Sequence, residues 1–218
     1  MTTSRYIGCS GFAGPPTRYW PLFTCVEITD TEIATPGDAS VRRWLREAPK
    51  GYAFSVLAPR EIAQTGFAEK GKDAPRLIEI AAVAKTLNAD AIVFVAQPDF
   101  TPTAVHKARL KAFVEALPKG LPTAVFDLPA FSIDEAVDVV SSSGAMVATN
   151  PLSRPGKAAK DFVYHRLPGP AGHRSRYDEE TLERVAKAVR ESKARTTFCI
   201  MANIDSLANG ATLAKLLR

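Results

Sequence analysis

Short apolar segments rich in β-branched and aromatic residues recur along the chain. Several are continuous rather than alternating, which is typical of strands whose two faces are both covered in a parallel sheet. We predict eight strands, at Tyr6–Ser10, Cys25–Thr29, Tyr52–Ala58, Ala91–Ala96, Thr123–Leu128, Ala145–Thr149, Asp161–Leu167 and Thr196–Met201.

Helical patterns fill most of the intervals between these strands. Each combines a capping residue or an early proline with apolar residues three and four positions apart. The predicted helix starts are Asp38 or Ser40, Asp73 with Pro75, Thr101 with Pro102, Ser132, Asp178 after Tyr177, and Asp205. Two intervals, Gly11–Phe23 and Pro151–Lys160, are rich in Gly, Pro and Arg and are predicted to be poor in helix.

This alternation of eight strands with six helices favours an α/β fold, a single (β/α)8 barrel of the TIM type spanning residues 1–218, with some helices missing or shortened. An open doubly wound sheet is the alternative. It is less favoured because no GxGxxG motif follows the first strand.

The composition is that of an ordinary globular chain. Its 218 residues are 46% hydrophobic and 23% charged, which argues against disorder, a coiled coil or a membrane bundle. No apolar run approaches the roughly 20 residues that span a bilayer, and Met1–Arg5 lacks a secretory signal pattern. Three widely spaced cysteines fit neither a disulfide framework nor a zinc site. We therefore predict a cytoplasmic protein without membrane contact; sixteen prolines against thirteen glycines would suit a thermophile.

The positive charge is concentrated in one segment. The chain carries a net charge of +5, and six basic residues against one acid, Asp161, fall between Pro151 and Arg176. The basic residues are Arg154, Lys157, Lys160, Arg166, Arg174 and Arg176. Such a segment can attract RNA or another polyanion, or it can be a solvated basic loop.

Candidate chemistry lies at the carboxyl ends of the predicted strands, where barrels of this type carry their sites. Glu27 stands out because it lies inside an apolar strand, where a buried carboxylate needs a cation, a metal or a proton. Arg166, embedded in the same way, is its natural partner and could hold an anionic ligand. His165 should point away from Arg166, so that one of the two is structural. Ser10, Gly11, Tyr164, Asn203 and Asp205 are the candidate substrate-binding residues.

Other chemical signals are weak. The three histidines show no HxH or HExxH spacing, and no carboxylate cluster suggests a metal site. Cys9 is interpreted as a small buried thiol rather than a nucleophile. The sequence names no cofactor.

The order of several motifs resembles that of a known family. The matching segments are Tyr6–Phe12, Val26–Thr31, Val41–Trp44, Phe54–Pro59 and Phe162–Gly169, followed by Tyr177 and Asn203. Together they are similar to the YecE-like proteins, domain of unknown function 72, and the resemblance covers nearly the whole chain. It implies a TIM barrel but no particular reaction, since the family has none established.

The chain departs from this family at several polar positions. Thr29 replaces an asparagine, Leu57 a lysine, and Pro168 the histidine before Gly169, while Val125–Leu128 lacks the polar groups of a Glu-Phe-Arg-His pattern. A glutamine is also lost near Phe94. These losses remove groups that could supply acid–base chemistry or bind anions.

Two functions follow as hypotheses. In the first, the chain is an enzyme for a small phosphorylated or sugar-like substrate, with Glu27 as base or metal ligand, Arg166 as anion clamp and Tyr177 as a lid contact. In the second, it has lost catalysis and binds RNA or another polyanion through the basic segment. Assembly with itself or with a protein partner is a third reading, and the oligomeric state is left open.

Overall fold

The computed structural model describes residues 3–68, 75–156 and 161–218. The chain forms two compact units. The terminal unit comprises Met1–Glu27, Glu47–Ala53 and Thr149–Arg218, and the central unit comprises Ile28–Arg46 and Phe54–Ala148. The prediction of a single domain stays a prediction.

All eight predicted strands are present, with ends that differ by one or two residues. They are β1 (Ser4–Cys9), β2 (Cys25–Ile28), β3 (Ala53–Leu57), β4 (Ala91–Val95), β5 (Thr123–Asp127), β6 (Met146–Val147), β7 (Phe162–Leu167) and β8 (Thr196–Met201). In the terminal unit, β8 lies between β1 and β7, and both pairings are parallel. In the central unit, β3, β4, β5 and β6 are parallel neighbours in chain order.

Within the described residues, the helices follow the predicted pattern, with three short additional helices. They are α1 (Pro16–Tyr19), α2 (Asp30–Ile33), α3 (Asp38–Glu47), α4 (Arg60–Gln64), α5 (Pro75–Thr86), α6 (Ala104–Glu115), α7 (Ile133–Val140), α8 (Glu179–Glu191) and α9 (Ser206–Leu216). The additions α1, α2 and α4 are only four or five residues long, too short to show an apolar period. Described residues 148–156 contain no helix, as expected after β6. Asp73 lies outside the described residues.

One predicted helix start is wrong. Thr103, not Thr101, caps α6, and its side chain accepts a hydrogen bond from the His106 amide. Both threonines can cap a helix, and the choice between them depends on backbone turns before the helix that periodicity does not report. Val105, in the first turn of this helix, is 59% exposed.

Other caps agree with the prediction. Ser132 and Glu135 form a reciprocal capping box at α7, in which each side chain accepts a backbone amide of the other residue. The Asp178 side chain accepts the Thr181 amide at the start of α8. This cap ends the loop between β7 and α8, which matters for the site described below.

The terminal unit has an aromatic layer on the face of β1, β8 and β7 that also carries Arg166. Tyr6 and Tyr164 each lie against Phe198, with ring centroids 5.0 and 5.4 Å apart, and Phe162 stacks on Tyr164. These rings occupy alternate positions on neighbouring parallel strands, so they share one face. These packed rings precede the polar groups that lie at the carboxyl ends of the strands.

A search of the described helices found none with the length and apolar character of a membrane span.

Candidate functional site

Glu27 is the centre of a polar cluster in the terminal unit. It lies near the end of β2, with no exposed surface, between apolar neighbours of the same strand. A bridge between Ser10 and Glu27 joins the ends of β1 and β2, and the Gly11 amide donates to the Glu27 carbonyl at 2.8 Å. The Gly11 backbone has a φ of 81°, which glycine adopts without strain. The turn after β1 therefore follows the backbone of Glu27 closely.

Arg166 is the cation that the buried carboxylate requires. Its Nε lies 3.2 and 3.1 Å from the two carboxylate oxygens of Glu27, and its Nη2 lies 3.0 Å from Oε1. Only 12% of the Arg166 side chain is exposed. The predicted partnership of these two residues is thus confirmed, and the two-point geometry fixes the orientation of the guanidinium plane.

Two hydroxyl groups complete the coordination of the carboxylate. Ser10 Oγ donates to Glu27 Oε1 at 2.6 Å, and Tyr164 Oη donates to Oε2 at 2.9 Å. Ser10 Oγ also accepts a bond from Arg166 Nη2 at 3.3 Å. A carboxylate has about four acceptor positions, and these donors fill them. Glu27 is therefore built to hold Arg166, Ser10 and Tyr164 in one arrangement.

His165 belongs to the opposite face of β7, as strand alternation predicts. Its Nδ1 lies 2.7 Å from Thr149 Oγ1, across the bridge between those two residues. Burial lowers the pKa of His165 from 6.5 to about 4, because a charged imidazole loses its hydration there. The ring is neutral at physiological pH and contributes to packing.

Tyr177, Asn203 and Asp205 lie in a second polar network, formed by the β7–α8 loop and the segment before α9. Tyr177 is buried, and its hydroxyl accepts the Gly169 amide at 3.0 Å. Asn203 Nδ2 donates to the Ser175 carbonyl at 3.1 Å and to Asn209 Oδ1 at 2.8 Å. The roles of Tyr177 as a lid contact and of Asn203 as a ligand contact stay predictions.

The remaining candidates of this region are charged. Asp205 forms an ion pair with Arg176 at 2.5 Å, and Arg174 is exposed in the same loop. Arg154 is partly exposed and exchanges backbone hydrogen bonds with Asn150. Lys157 and Lys160 lie outside the described residues. The proposed anion-binding and substrate-binding roles of these residues stay predictions.

The cysteines are buried thiols, as interpreted for Cys9. Burial raises the pKa of Cys9 and that of Cys199 to about 12, so both are protonated at physiological pH. Cys9 Sγ lies 3.2 Å from the Ser206 carbonyl. Among the described residues, no group of three or more His, Cys, Asp or Glu side chains is placed to hold a metal ion.

The sequence interpretation missed one residue at this edge, His173. It is exposed in the β7–α8 loop, and its Nδ1 lies 2.8 Å from the Ala202 carbonyl, just beyond β8. No sequence signal identifies it, because the loop fold alone brings it to the end of a strand some thirty residues away in the chain.

Comparison with known proteins places the chain in a family. A family model described as "Protein of unknown function DUF72" matches residues 17–218. The chain belongs to the DUF72 family. This confirms the resemblance to YecE-like proteins, which are the same family. A search of the curated proteins found no match to the sequence.

Solved structures of DUF72 proteins share the fold. A DUF72 family protein from Enterococcus faecalis V583 is 16% identical with a TM-score of 0.76, over 99% of this chain and 98% of its own. A DUF72 family protein from Thermotoga maritima MSB8 is 18% identical with a TM-score of 0.76, over 98% of this chain and 99% of its own.

A chitinase is a more distant neighbour. The GH18 chitinase from Pseudoalteromonas aurantia is 10% identical with a TM-score of 0.56, over 98% of both chains. At these identities the comparisons concern the fold alone. They confirm the predicted fold class, an α/β fold of the TIM-barrel type, for this DUF72 protein.

Proposed function

We propose that this DUF72 protein is an enzyme whose terminal unit binds a small ligand that carries hydroxyl groups and an anionic group, as in a phosphorylated sugar. The observation that supports the proposal is the arginine held by a saturated, fully buried carboxylate at the carboxyl ends of β1, β2 and β7. Sites of enzymes with this fold class lie at those strand ends.

Each side chain has a distinct part in the proposed site. Arg166 presents a guanidinium that Glu27 holds in a fixed orientation at the strand ends, and a planar guanidinium suits phosphate or carboxylate oxygens. Glu27 positions Arg166, because its own acceptor positions are filled. Ser10 Oγ keeps one acceptor position that can take a hydrogen bond from a ligand hydroxyl, and the residue is partly exposed at the end of β1.

The preference for a sugar-like ligand rests on the Ser10 hydroxyl oxygen. An oxygen that keeps an acceptor position suits a polyol, whose hydroxyl groups donate. The neighbouring chitinase acts on a sugar polymer by its name, but its likeness to this chain supports the fold and not the substrate.

The test is isothermal titration of the purified protein with D-glucose 6-phosphate, D-glucose and inorganic phosphate. We expect glucose 6-phosphate to bind most tightly, because it engages both the hydroxyl and the anionic contacts. Arg166→Lys keeps the charge but loses the fork, and should weaken binding about tenfold, which equals about 1.4 kcal/mol.

The matched control is Arg5→Lys. Arg5 lies near the start of β1 and donates to the carbonyls of Val189 and Arg190 at 3.2 and 3.0 Å, at the amino edge of the same sheet. Binding should be unchanged in this variant. Equal losses in both variants, or no binding of any probe at about 10 mM, would refute the proposal.

A further inference from the structure

The β7–α8 loop presents one imidazole at the edge where the proposed site lies. The His173 carbonyl accepts the Ile204 amide at 2.7 Å, and its Nδ1 lies 2.8 Å from the Ala202 carbonyl. Backbone and ring are therefore both fixed to the segment that follows β8. The hydrogen bond at Nδ1 limits the rotational freedom that this exposed ring would lose when a ligand binds.

The hydrogen bond to Ala202 determines which ring nitrogen carries the proton. A carbonyl oxygen only accepts, so Nδ1 must be the donor. In the neutral ring, Nε2 then has a free lone pair. His173 is exposed, and within the described residues nothing hydrogen-bonds to Nε2. The lone pair is available to a molecule outside the protein.

The strand order places the segment that anchors this imidazole at the same sheet edge as Ser10 and Arg166. The Ser10 amide donates to the Met201 carbonyl at 2.9 Å on one side of β8, and the Ala202 amide donates to the Leu167 carbonyl at 2.9 Å on the other. Ser10 follows β1 and Arg166 lies in β7, the two strands that flank β8. The ring is bonded to the residue that follows the middle strand, at the sheet edge that carries the two side chains assigned to the ligand.

We propose that His173 is the proton acceptor of this site, with Nε2 in contact with a hydroxyl group of the bound ligand. The inference rests on the function proposed above. It adds a basic group to the proposed site, because the lone pairs of Glu27 are occupied by Ser10, Tyr164 and Arg166. In the step itself, the hydroxyl proton passes to Nε2, the electron pair of the broken O–H bond stays on oxygen, and the imidazole becomes imidazolium. Return of the proton to the product restores the neutral ring.

The first test needs no ligand. Nitrogen chemical shifts of the 15N-labelled imidazoles report the tautomer, and we expect His173 to be protonated at Nδ1 and not at Nε2. The Nε2–H tautomer for His173 in the neutral ring would overturn the proposal.

The second test uses D-glucose 6-phosphate as the probe. Diethyl pyrocarbonate modifies unprotonated, accessible imidazole nitrogens, and mass spectrometry gives the rate at each histidine. We expect the probe to protect His173 in the wild-type protein but not in Arg166→Lys. His106 is the internal control, since its Nδ1 also lies 2.8 Å from a carbonyl, that of Thr101, but it belongs to the central unit.

Matched variants test whether ligand binding needs the Nε2 atom of His173. His173→Asn keeps a donor near the Nδ1 position and removes Nε2, and it should weaken glucose 6-phosphate binding about fivefold, whereas His106→Asn should not change it. Arg166-dependent binding that leaves His173 unprotected would overturn the role of His173 alone. The absence of probe binding would overturn this proposal together with the proposed function.

Discussion

The pH dependence of stability offers a direct test of the buried His165. The folded protein resists protonation of this ring down to its pKa of about 4, whereas the unfolded chain takes up a proton near the ordinary value of 6.5. Between these values the unfolded state binds more protons, so the free energy of unfolding must fall as pH falls. Above about pH 7 both states are neutral and the effect vanishes.

The magnitude follows from the size of the shift. One pKa unit corresponds to about 1.4 kcal/mol. Lowering the pH from 7 to 5 should therefore remove about 2 kcal/mol of stability through His165 alone, and the loss should level off below pH 4 at roughly 3 kcal/mol. These free-energy differences are set by the pKa values of His165 in the folded and unfolded states.

The assay is urea unfolding at pH 7 and pH 5, followed by circular dichroism, on wild type and His165→Gln. Other groups titrate in the same range, among them Asp90, whose pKa is raised by burial. They are common to both proteins, so the difference between the two pH dependences isolates His165. The wild type should lose about 2 kcal/mol more than His165→Gln. Identical pH dependences of wild type and His165→Gln would refute the assignment of a buried, neutral ring.

Three further perturbations test other parts of the structure. Glu27→Gln should lower the free energy of unfolding by about 3–5 kcal/mol in urea titrations, because it leaves Arg166 buried without its charge partner. The double variant Glu27→Leu with Arg166→Met should recover part of the lost stability. No recovery would argue against coupling between Glu27 and Arg166. Gly169→Ala should destabilise more than Gly172→Ala by thermal unfolding: both glycines have positive φ (104° and 91°), but a Cβ at Gly169 would clash with the Gly172 carbonyl oxygen and one at Gly172 meets nothing within 4 Å; equal effects would show that the loop relaxes freely. If the basic segment binds RNA, as in the second hypothesis, fluorescence anisotropy with a short labelled RNA should show binding that weakens from about 50 to 200 mM salt and depends more on Arg174 than on Arg176, which is paired with Asp205; an equal dependence on both arginines would contradict that pairing.

Much of the fold follows from the sequence because it depends on local patterns. Strand positions come from continuous apolar runs, and helix starts such as Ser132 and Asp178 come from caps that act within three residues. The choice of Thr103 over Thr101 could not be predicted in this way, because two residues of the same type two positions apart offer the same local signal. Short helices such as α4 escape it too, since one turn has no period.

The ion pair between Glu27 and Arg166 could also be predicted from the sequence. A carboxylate inside an apolar strand must find a cation, and Arg166 was embedded in the same way in another predicted strand. Burying an unpaired charge is costly wherever the strands lie.

Tertiary structure alone decided the remainder of the site. Ser10 and Tyr164 reach the carboxylate across 17 and 137 residues of chain, and His173 reaches Ala202 across 29. Ser10 meets Glu27 through the bridge between the ends of β1 and β2, whereas Tyr164 and His173 reach this edge because β8, the last strand, pairs between the first and the seventh. The sequence by itself determined which charge had to be neutralised, and the pairing of strands determined which hydroxyls bond to it.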